Sequence, residues 1–254
     1  MADSVASELG GRFFDAAISL LQRVRDAESE NMRAAAALIA DTVEAGGRLF
    51  AFGAGHSSLA AQDTVYRAGG LALMNLLNVP GTVGVDVMPA TLGSALERVG
   101  GLASAALESS PARAGDVLVV ISLSGRNTLP VEMALKARSL GLRVIAVTSV
   151  SYASRTESRH ASGTFLKDHA DVVLDSGIPI GDTVLTAEGV AAPFAPASTV
   201  VTSALLQATL ATAAGLLAER GTEPPLLRSG NVDGGTAWNE QVMEEYGDRI
   251  FYRR

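Results

Sequence analysis

Cysteine is absent from all 254 residues, which excludes a disulfide framework. The N-terminal residues do not combine a basic start with an apolar block, so no secretory signal is predicted. The three histidines are scattered and show no His-x-x-x-His spacing, so we expect neither a metal site nor a cofactor. A cytoplasmic location is the expectation.

An excess of positive charge is also missing. The formal net charge is -7, whereas a nucleic-acid binder is expected to carry a basic patch. We therefore expect no nucleic-acid partner. Any phosphate group that this chain binds must be held by local groups rather than by a general positive field.

No segment reads as a clear membrane span. The longest apolar stretch, residues 198–218, is interrupted by Ser, Thr and Gln and lacks basic and aromatic anchors at its ends. Hydroxyl-rich helices of this kind are common in the centres of oligomers. The sequence therefore favours a buried helix and no membrane contact.

Short apolar runs alternate with helix-like segments along most of the chain. Strands are expected at 48–52, 71–77, 116–121, 143–147 and 171–175, and helices include 92–109 and 129–140. Nearly continuous apolar strands joined by helices predict an α/β fold with a mainly parallel, doubly wound sheet. We expect one domain over 1–254, with a helical extension at 1–46, an α/β core at 47–220 and a tail at 221–254.

The most informative segment is Ser122–Thr128, which follows the apolar run 117–121 and precedes a helix. A strand that ends in hydroxyl residues and glycine presents N–H and O–H donors to a small anion. Three other expected strand or helix ends carry similar residues, namely Gly53–Ser57, Thr148-Ser149 and Pro196–Thr199. Since ligands collect at the carboxyl ends of parallel strands, the set predicts a phosphate site.

Gly53-Ala54-Gly55 alone is also compatible with a dinucleotide site. A full G-x-G-x-x-G is missing, because residue 58 is Ser58, and the next strand lacks an acidic residue at its end to hold a ribose. A nicotinamide enzyme is therefore disfavoured.

Ser122-Leu123-Ser124-Gly125-Arg126-Asn127, together with Gly53-Ala54-Gly55-His56-Ser57, resembles the signature of the SIS (sugar isomerase) domain family. Residues 66–71, 158–163 and 231–235 resemble a bacterial subgroup labelled as phosphosugar isomerases. The resemblance spans nearly the whole chain. It implies a three-layer α/β/α sandwich, a phosphorylated sugar as ligand, and a homodimer or homotetramer with sites near the subunit interface.

The resemblance also implies roles for individual residues. Those expected to bind the phosphate or the sugar are Gly55, His56, Ser57, Ser122, Ser124, Asn127, Thr128, Thr148, Ser149, Ser198 and Thr199.

Sugar isomerisation needs a group that removes a proton next to a carbonyl, and family enzymes use a glutamate with, in many cases, a histidine. The subgroup carries His-Glu-Gly in the irregular loop where this chain has Val85-Asp86-Val87, so Asp86 is the expected carboxylate. His160, in a loop beside Arg159, is the expected catalytic histidine. Glu97 is interpreted as half of an exposed or interface pair with Arg98, and His169 as a solvated residue.

The altered glutamate pattern leaves three functions open. The first is an isomerase that acts on a sugar 6-phosphate or an amino-sugar phosphate. The second is a lyase or dehydratase, which shares the same first proton abstraction. The third is a phosphosugar sensor without catalysis.

Overall fold

The structure is a computed structural model that describes residues 5–83 and 89–253. Its helices are α1 (Val5–Ala27), α2 (Ser29–Glu44), α3 (Ser57–Asp63), α4 (Thr91–Leu96), α5 (Leu102–Glu108), α6 (Thr128–Ser139), α7 (Val150–Arg155), α8 (Ser198–Glu219) and α9 (Gly235–Glu245). Its strands are β1 (Leu49–Gly53), β2 (Met74–Leu76), β3 (Val117–Ile121), β4 (Arg143–Thr148) and β5 (Val172–Asp175). A short 3-10 helix covers Leu166–His169.

The five strands form one parallel sheet in the order β2-β1-β3-β4-β5. The predicted doubly wound α/β fold is thereby confirmed. The chain adds β2 on one side of β1 and then crosses to add β3 on the other side. The strand order therefore reverses between β1 and β3, and such a reversal leaves a crevice at the carboxyl ends of the two strands.

Alternate residues of each central strand enter two separate cores. Ala51, Val119 and Ile145 face a core shared with α2, α3 and α8, whereas Phe52 and Val120 face a core shared with α5 and α6. Strands buried on both faces need the unbroken apolar sequences from which they were predicted. The result is a three-layer sandwich.

α8 is long and apolar enough to cross a membrane by length and composition alone. In the structure it packs against α1, α2 and α3. Val201, Leu205, Leu210 and Leu217 of α8 are buried in the core beneath it. One side of α8 thus packs into the core on this face of the sheet, together with α2 and α3.

Two predicted elements differ from the structure. The helix expected at 92–109 is two helices, because Gly101 adopts a φ of 90° between α4 and α5. The strand expected at 71–77 is confined to Met74–Leu76. Leu71 instead pairs with Leu226 in an isolated antiparallel bridge, so tertiary contact with the tail replaces the start of the strand.

Asn75, on the edge strand β2, fastens the C-terminal tail to the sheet. Its buried amide donates to the carbonyls of Leu49, Leu73 and Arg249 at 2.9–3.2 Å and accepts from the N–H of Phe251 at 2.7 Å. Burying a side-chain amide costs little free energy when both its oxygen and its nitrogen form hydrogen bonds. Removing it leaves the partner groups without hydrogen bonds.

We predict that Asn75→Leu lowers the free energy of unfolding by about 2–4 kcal/mol, because it orphans several buried backbone groups at once. Urea denaturation followed by circular dichroism measures this difference. Gln22→Leu, at an exposed site on α1, is the matched control and is expected to change stability by no more than about 0.5 kcal/mol. Equal effects of the two substitutions would show that the Asn75 network contributes nothing.

Candidate functional site

A pocket of about 500 Å³ lies in the crevice between the carboxyl ends of β1 and β3. The loop 53–57 leaves β1 on one side of it, and the loop 122–127 leaves β3 on the other. The expected ligand residues that line it are Gly55, His56, Ser57, Ser122, Ser124, Asn127, Ser198 and Thr199. The strand reversal therefore brings most of the predicted binding residues together.

Glycine is required where the two loops turn. A Cβ at Gly53 would lie 2.4 Å from the carbonyl oxygen of Ser57, so the first loop could not fold back onto α3. Gly125 has a φ of 57°, and a Cβ there would lie 2.8 Å from Oγ1 of Thr148. Both loops therefore depend on the missing side chain.

Hydroxyl groups supply the pocket with uncommitted donors. Ser57 and Ser124 make no side-chain hydrogen bond to any other residue within 5–83 and 89–253, while Ser122 Oγ accepts the N–H of Gly125 at 3.2 Å. α6 begins beside these serines, and the side chain of its N-cap residue, Asn127, does not cap it. The N–H of Leu129 in the first turn of α6 already donates to the carbonyl of Glu97 at 2.9 Å, and Pro130 has no N–H. The free hydroxyls, more than the start of α6, therefore suit an anion.

Glu97 follows α4 and places its carboxylate in the pocket. Oε2 accepts a hydrogen bond from Nδ2 of Asn127 at 2.7 Å. Oε1 accepts no hydrogen bond from the described residues and lies 3.3 Å from where a Cβ of Gly55 would be. The interpretation of Glu97 as an exposed or interface pair with Arg98 is wrong, because α4 and the N-terminus of α6 direct the carboxylate inward.

Asn127 joins Glu97 to the loop that carries Arg159. Its Oδ1 accepts from a guanidinium nitrogen of Arg159 at 3.1 Å, which fixes the amide so that its nitrogen points to Glu97. The backbone N–H of Arg159 in turn donates to the carbonyl of Arg126 at 2.8 Å. The carboxylate is thus oriented by a chain of contacts from outside the pocket.

The N-terminus of α8 already has an anionic partner from the protein. Asp182 accepts hydrogen bonds from the N–H groups of Ala197 and Ser198 and from the Ser198 hydroxyl, at 2.6–3.2 Å. Ser198 therefore lines the pocket with its hydroxyl already committed. Asp182 and Tyr152 also line the pocket, and the sequence analysis missed both because they come from elements that it left unassigned.

Thr148 and Ser149 do not line this pocket, contrary to expectation. Both are buried. Thr148 Oγ1 donates to the carbonyl of Leu123 at 3.1 Å, and Ser149 Oγ donates to the carbonyl of Ile178 at 2.6 Å. They support the loops from beneath rather than contact a ligand, because β4 ends one strand away from the reversal point.

Thr128 and His160 also lie outside the pocket, in a neighbouring open groove with Glu132 and Arg159. The Thr128 hydroxyl donates to the carbonyl of Arg159 at 3.3 Å. The first turn of α6 separates this groove from the pocket, since Asn127 faces one and Thr128 the other. His160 is therefore not next to the Glu97 carboxylate.

Two hydroxyls connect His160 to His169. His160 Nδ1 lies 2.7 Å from Ser162 Oγ, which lies 2.5 Å from Thr164 Oγ1, which lies 2.7 Å from His169 Nε2. Burial lowers the pKa of His169, with smaller effects from the neighbouring charges, and His160 is among those that lower it. His169 is thus part of a hydrogen-bonded chain rather than simply solvated.

Asp86, the expected catalytic carboxylate, lies outside the described residues. Val83, three positions earlier, forms a bridge with Gly55 at the pocket, and the Gly55 N–H donates to the carbonyl of Thr82 at 2.8 Å. Within 5–83 and 89–253, no group of three or more His, Asp and Glu side chains is placed to hold a metal ion.

Comparison with known proteins assigns the family. The model of the SIS domain matches residues 12–149, more than half of the chain. The chain belongs to the SIS domain family. A UPF0309 protein of Streptomyces avermitilis is 75% identical over 248 residues and covers 98% of this chain and 99% of its own. A UPF0309 protein of Shouchella clausii is 38% identical over 241 residues, 95% of this chain and 98% of its own.

Solved structures share the SIS fold at low sequence identity. Phosphoheptose isomerase of Neisseria gonorrhoeae superposes with a TM-score of 0.55 at 19% identity, over 84% of this chain and all of the other. The Vibrio vulnificus NanR protein, solved in complex with ManNAc-6P, gives a TM-score of 0.50 at 15% identity, over 94% of this chain and 69% of the other. The architecture is therefore that of sugar-phosphate isomerases and binding proteins.

The hydroxyl chain between the two histidines predicts coupled titration. We expect His160→Gln to raise the pKa of His169, because it removes a charge that opposes protonation, while burial keeps that pKa below the ordinary 6.5. NMR titration of the imidazole signals measures it. His56→Gln, at the main pocket, is the control and should leave the His169 midpoint in place. An unchanged midpoint in His160→Gln would contradict the coupling.

Proposed function

We propose that the protein is an enzyme that binds a phosphorylated sugar in the pocket between β1 and β3 and removes a proton next to the carbonyl of its open-chain form. The reaction class is aldose–ketose isomerisation of a sugar 6-phosphate or an amino-sugar phosphate. The observation that carries the proposal is the Glu97 carboxylate, which shares one pocket with the free hydroxyls of Ser57 and Ser124.

The phosphate is assigned to the α6 side of the pocket. Ser57, Ser122 and Ser124 lie there beside the start of α6, and their hydroxyl donors match phosphate oxygens. The names of the structural neighbours support this ligand class, since one is a phosphoheptose isomerase and another was solved with ManNAc-6P. The opposite side, lined by Asp182 and Thr199, is left for the sugar.

Glu97 is assigned as the base. A catalytic base must reach the acidic carbon with a lone pair that is not engaged elsewhere, and Oε1 meets this condition among the described residues. Asn127 holds the other oxygen and is itself fixed by Arg159. His56 lines the pocket beside Ser57 and is the histidine within reach for ring opening, whereas His160 lies in the groove behind α6.

The same proton abstraction begins β-elimination, so a lyase or dehydratase acting on an N-acyl amino-sugar phosphate is the alternative reaction. A carboxylate base serves both, and the product depends on which bond breaks next. A sensor without catalysis would need the serine hydroxyls that bind the phosphate but would not need the free oxygen of Glu97.

The main test is proton exchange in deuterated water. With a panel of hexose, heptose and N-acetylhexosamine 6-phosphates, we expect deuterium to enter C2 of at least one substrate, and NMR of the product separates a ketose from an unsaturated sugar. Glu97→Gln is expected to slow this exchange by about 10²–10⁴-fold, since it removes the base, and to leave sugar-phosphate binding in a thermal shift assay within about threefold.

Two companion variants sharpen the outcome. Asp86→Asn tests the other carboxylate, and loss of exchange in that variant with full exchange in Glu97→Gln would transfer the role to Asp86. Ser124→Ala is expected to weaken binding while the exchange at saturation persists. Binding without exchange in the unmodified protein would favour the sensor, and no binding across the panel would refute the phosphosugar assignment.

We also propose that the protein forms a homodimer or a homotetramer through the outer side of α8. This helix carries apolar residues on every side between its Ser, Thr and Gln residues, yet less than half of it is buried. Val200, Ala204, Ala208 and Ala211 are exposed along one side. A helix that is apolar all round is ordinarily covered, and because Thr199 opens onto both this side and the pocket, the active sites would lie near the subunit interface.

Ala208→Arg is expected to dissociate the oligomer, because a charge at the centre of a close helix contact is costly to desolvate. Light scattering coupled to size-exclusion chromatography gives the mass. Ala34→Arg adds the same charge at an exposed alanine of α2 and should keep the oligomer intact. A monomeric unmodified protein would refute this interface.

A further inference from the structure

A third cavity, of about 670 Å³, lies away from the sugar-phosphate pocket. It forms where the segment that begins at Tyr66 meets the segment 227–231 and α9. Both segments were singled out by the sequence, and the proposed reaction uses neither. Since α3 starts at Ser57 in the main pocket and ends at Asp63, shortly before Tyr66, the two cavities lie at opposite ends of α3.

Arg228 lines this cavity in a fixed position. Its backbone N–H and carbonyl are both bonded to the side chain of Asn239, at 2.7 and 2.8 Å. Its guanidinium lies 3.8 Å from the ring centroid of Trp238, and the indole N–H is anchored to the carbonyl of Leu226 at 2.8 Å. The arginine is held by stacking and by its backbone, so ordering it on binding costs little.

The guanidinium of Arg228 has no anionic partner within 5–83 and 89–253. Arg220, by comparison, forms ion pairs with Asp41 and Glu44. Among the described residues, the guanidinium of Arg228 contacts only the ring of Trp238. The charged residues that line the cavity are Arg228, Arg253 and Glu240, a local excess of positive charge in a chain of net charge -7. A stacked arginine keeps its N–H edge free for two oxygens of one phosphate or carboxylate.

Aromatic rings form another wall of the cavity. The ring of Tyr66 is 63% exposed, and its backbone has a φ of 48°, unusual for a residue with a large side chain. It lies 5.2 Å, between ring centroids, from Tyr252, whose hydroxyl donates to the carbonyl of Ala72 at 2.8 Å. Burial raises the pKa of Tyr252 to about 12, so the wall stays uncharged at neutral pH.

We propose that this cavity binds a nucleoside phosphate, with Arg228 on the phosphate and Tyr66 stacked on the base. An exposed ring beside a fixed guanidinium matches a molecule that carries a flat apolar part and an anion. Asn231 and Ser229, which also line the cavity, supply polar contacts for a ribose. The site is separate from the sugar-phosphate pocket and does not depend on the reaction proposed there.

Trp238 is the only tryptophan in the chain, so its fluorescence reports on this cavity. We expect adenosine and guanosine mono- and diphosphates to change it saturably, and adenosine without phosphate to bind at least about tenfold more weakly. The affinities of the variants are measured by isothermal titration calorimetry on the full-length protein, because substitutions near Trp238 also alter its fluorescence.

Arg228→Gln is expected to weaken nucleotide binding about tenfold or more. Tyr66→Ala should weaken the binding of nucleotides but leave the binding of inorganic phosphate unchanged, because the substitution removes only the stacking surface. Arg155→Gln, at an exposed site on α7, and Ser124→Ala, in the main pocket, should bind as the unmodified protein does. Circular dichroism checks that each variant is folded.

Any of four results would overturn the proposal. The first is no binding of any nucleotide by the folded unmodified protein, and the second is nucleotide binding by Arg228→Gln and Tyr66→Ala that is as tight as in the unmodified protein. The third is loss of nucleotide binding in Ser124→Ala alone, which would place the nucleotide in the main pocket. Binding of inorganic phosphate as tight as that of nucleotides would reduce the cavity to a simple anion site and would also contradict it.

Discussion

The hydrogen-bonded pairing of β1 with β3 is the constraint on which the site depends. The five residue pairs from Leu49–Val117 to Gly53–Ile121 bring the two strand ends level, and the loops that follow therefore face each other across one crevice. Two glycines let those loops turn tightly enough to expose serine hydroxyls. Without this register, Ser57 and Ser124 would not line one pocket.

The recognition groups of the pocket are mostly neutral. Its described lining includes the carboxylates of Glu97 and Asp182 but no lysine or arginine. A guanidinium nitrogen of Arg159 contacts the pocket residue Asn127 from outside the lining. The donors that the lining offers are therefore mainly hydroxyl groups, which recognise geometry more than charge, and this agrees with the acidic balance of the whole chain.

The fold and the grouping of hydroxyl residues at one pocket could be predicted from sequence because both follow from local patterns. An unbroken apolar strand such as 117–121, and the hydroxyl loop that directly follows it, can each be recognised from a few neighbouring residues. Glu97 was missed for the opposite reason: whether a helical glutamate turns outward or into a pocket depends on how α4 packs against α6. Asp182 was missed because it caps a helix that begins 16 residues later, and no local signal marks that contact.

The histidine and the threonines show the same limit. His160 and Thr128 stand in sequence beside true pocket residues, but the first turn of α6 divides them from the pocket. Thr148 and Ser149 occupy a strand end, as predicted, yet β4 lies one strand beyond the reversal, and their hydroxyls are used to hold backbone carbonyls. The sequence pattern located hydroxyl residues at the strand ends, and only the packing separated those that line the pocket from those that support its loops.

The capping of α8 by Asp182 also gives the pocket two unlike ends. Three helices, α3, α6 and α8, start at the pocket, and the start of α8 already holds a carboxylate of the protein. An anionic group placed at the α8 end would lie against Asp182, where like charges repel. That end of the pocket therefore disfavours negative charge, whereas the end that holds Ser57 and Ser124 offers hydroxyl donors.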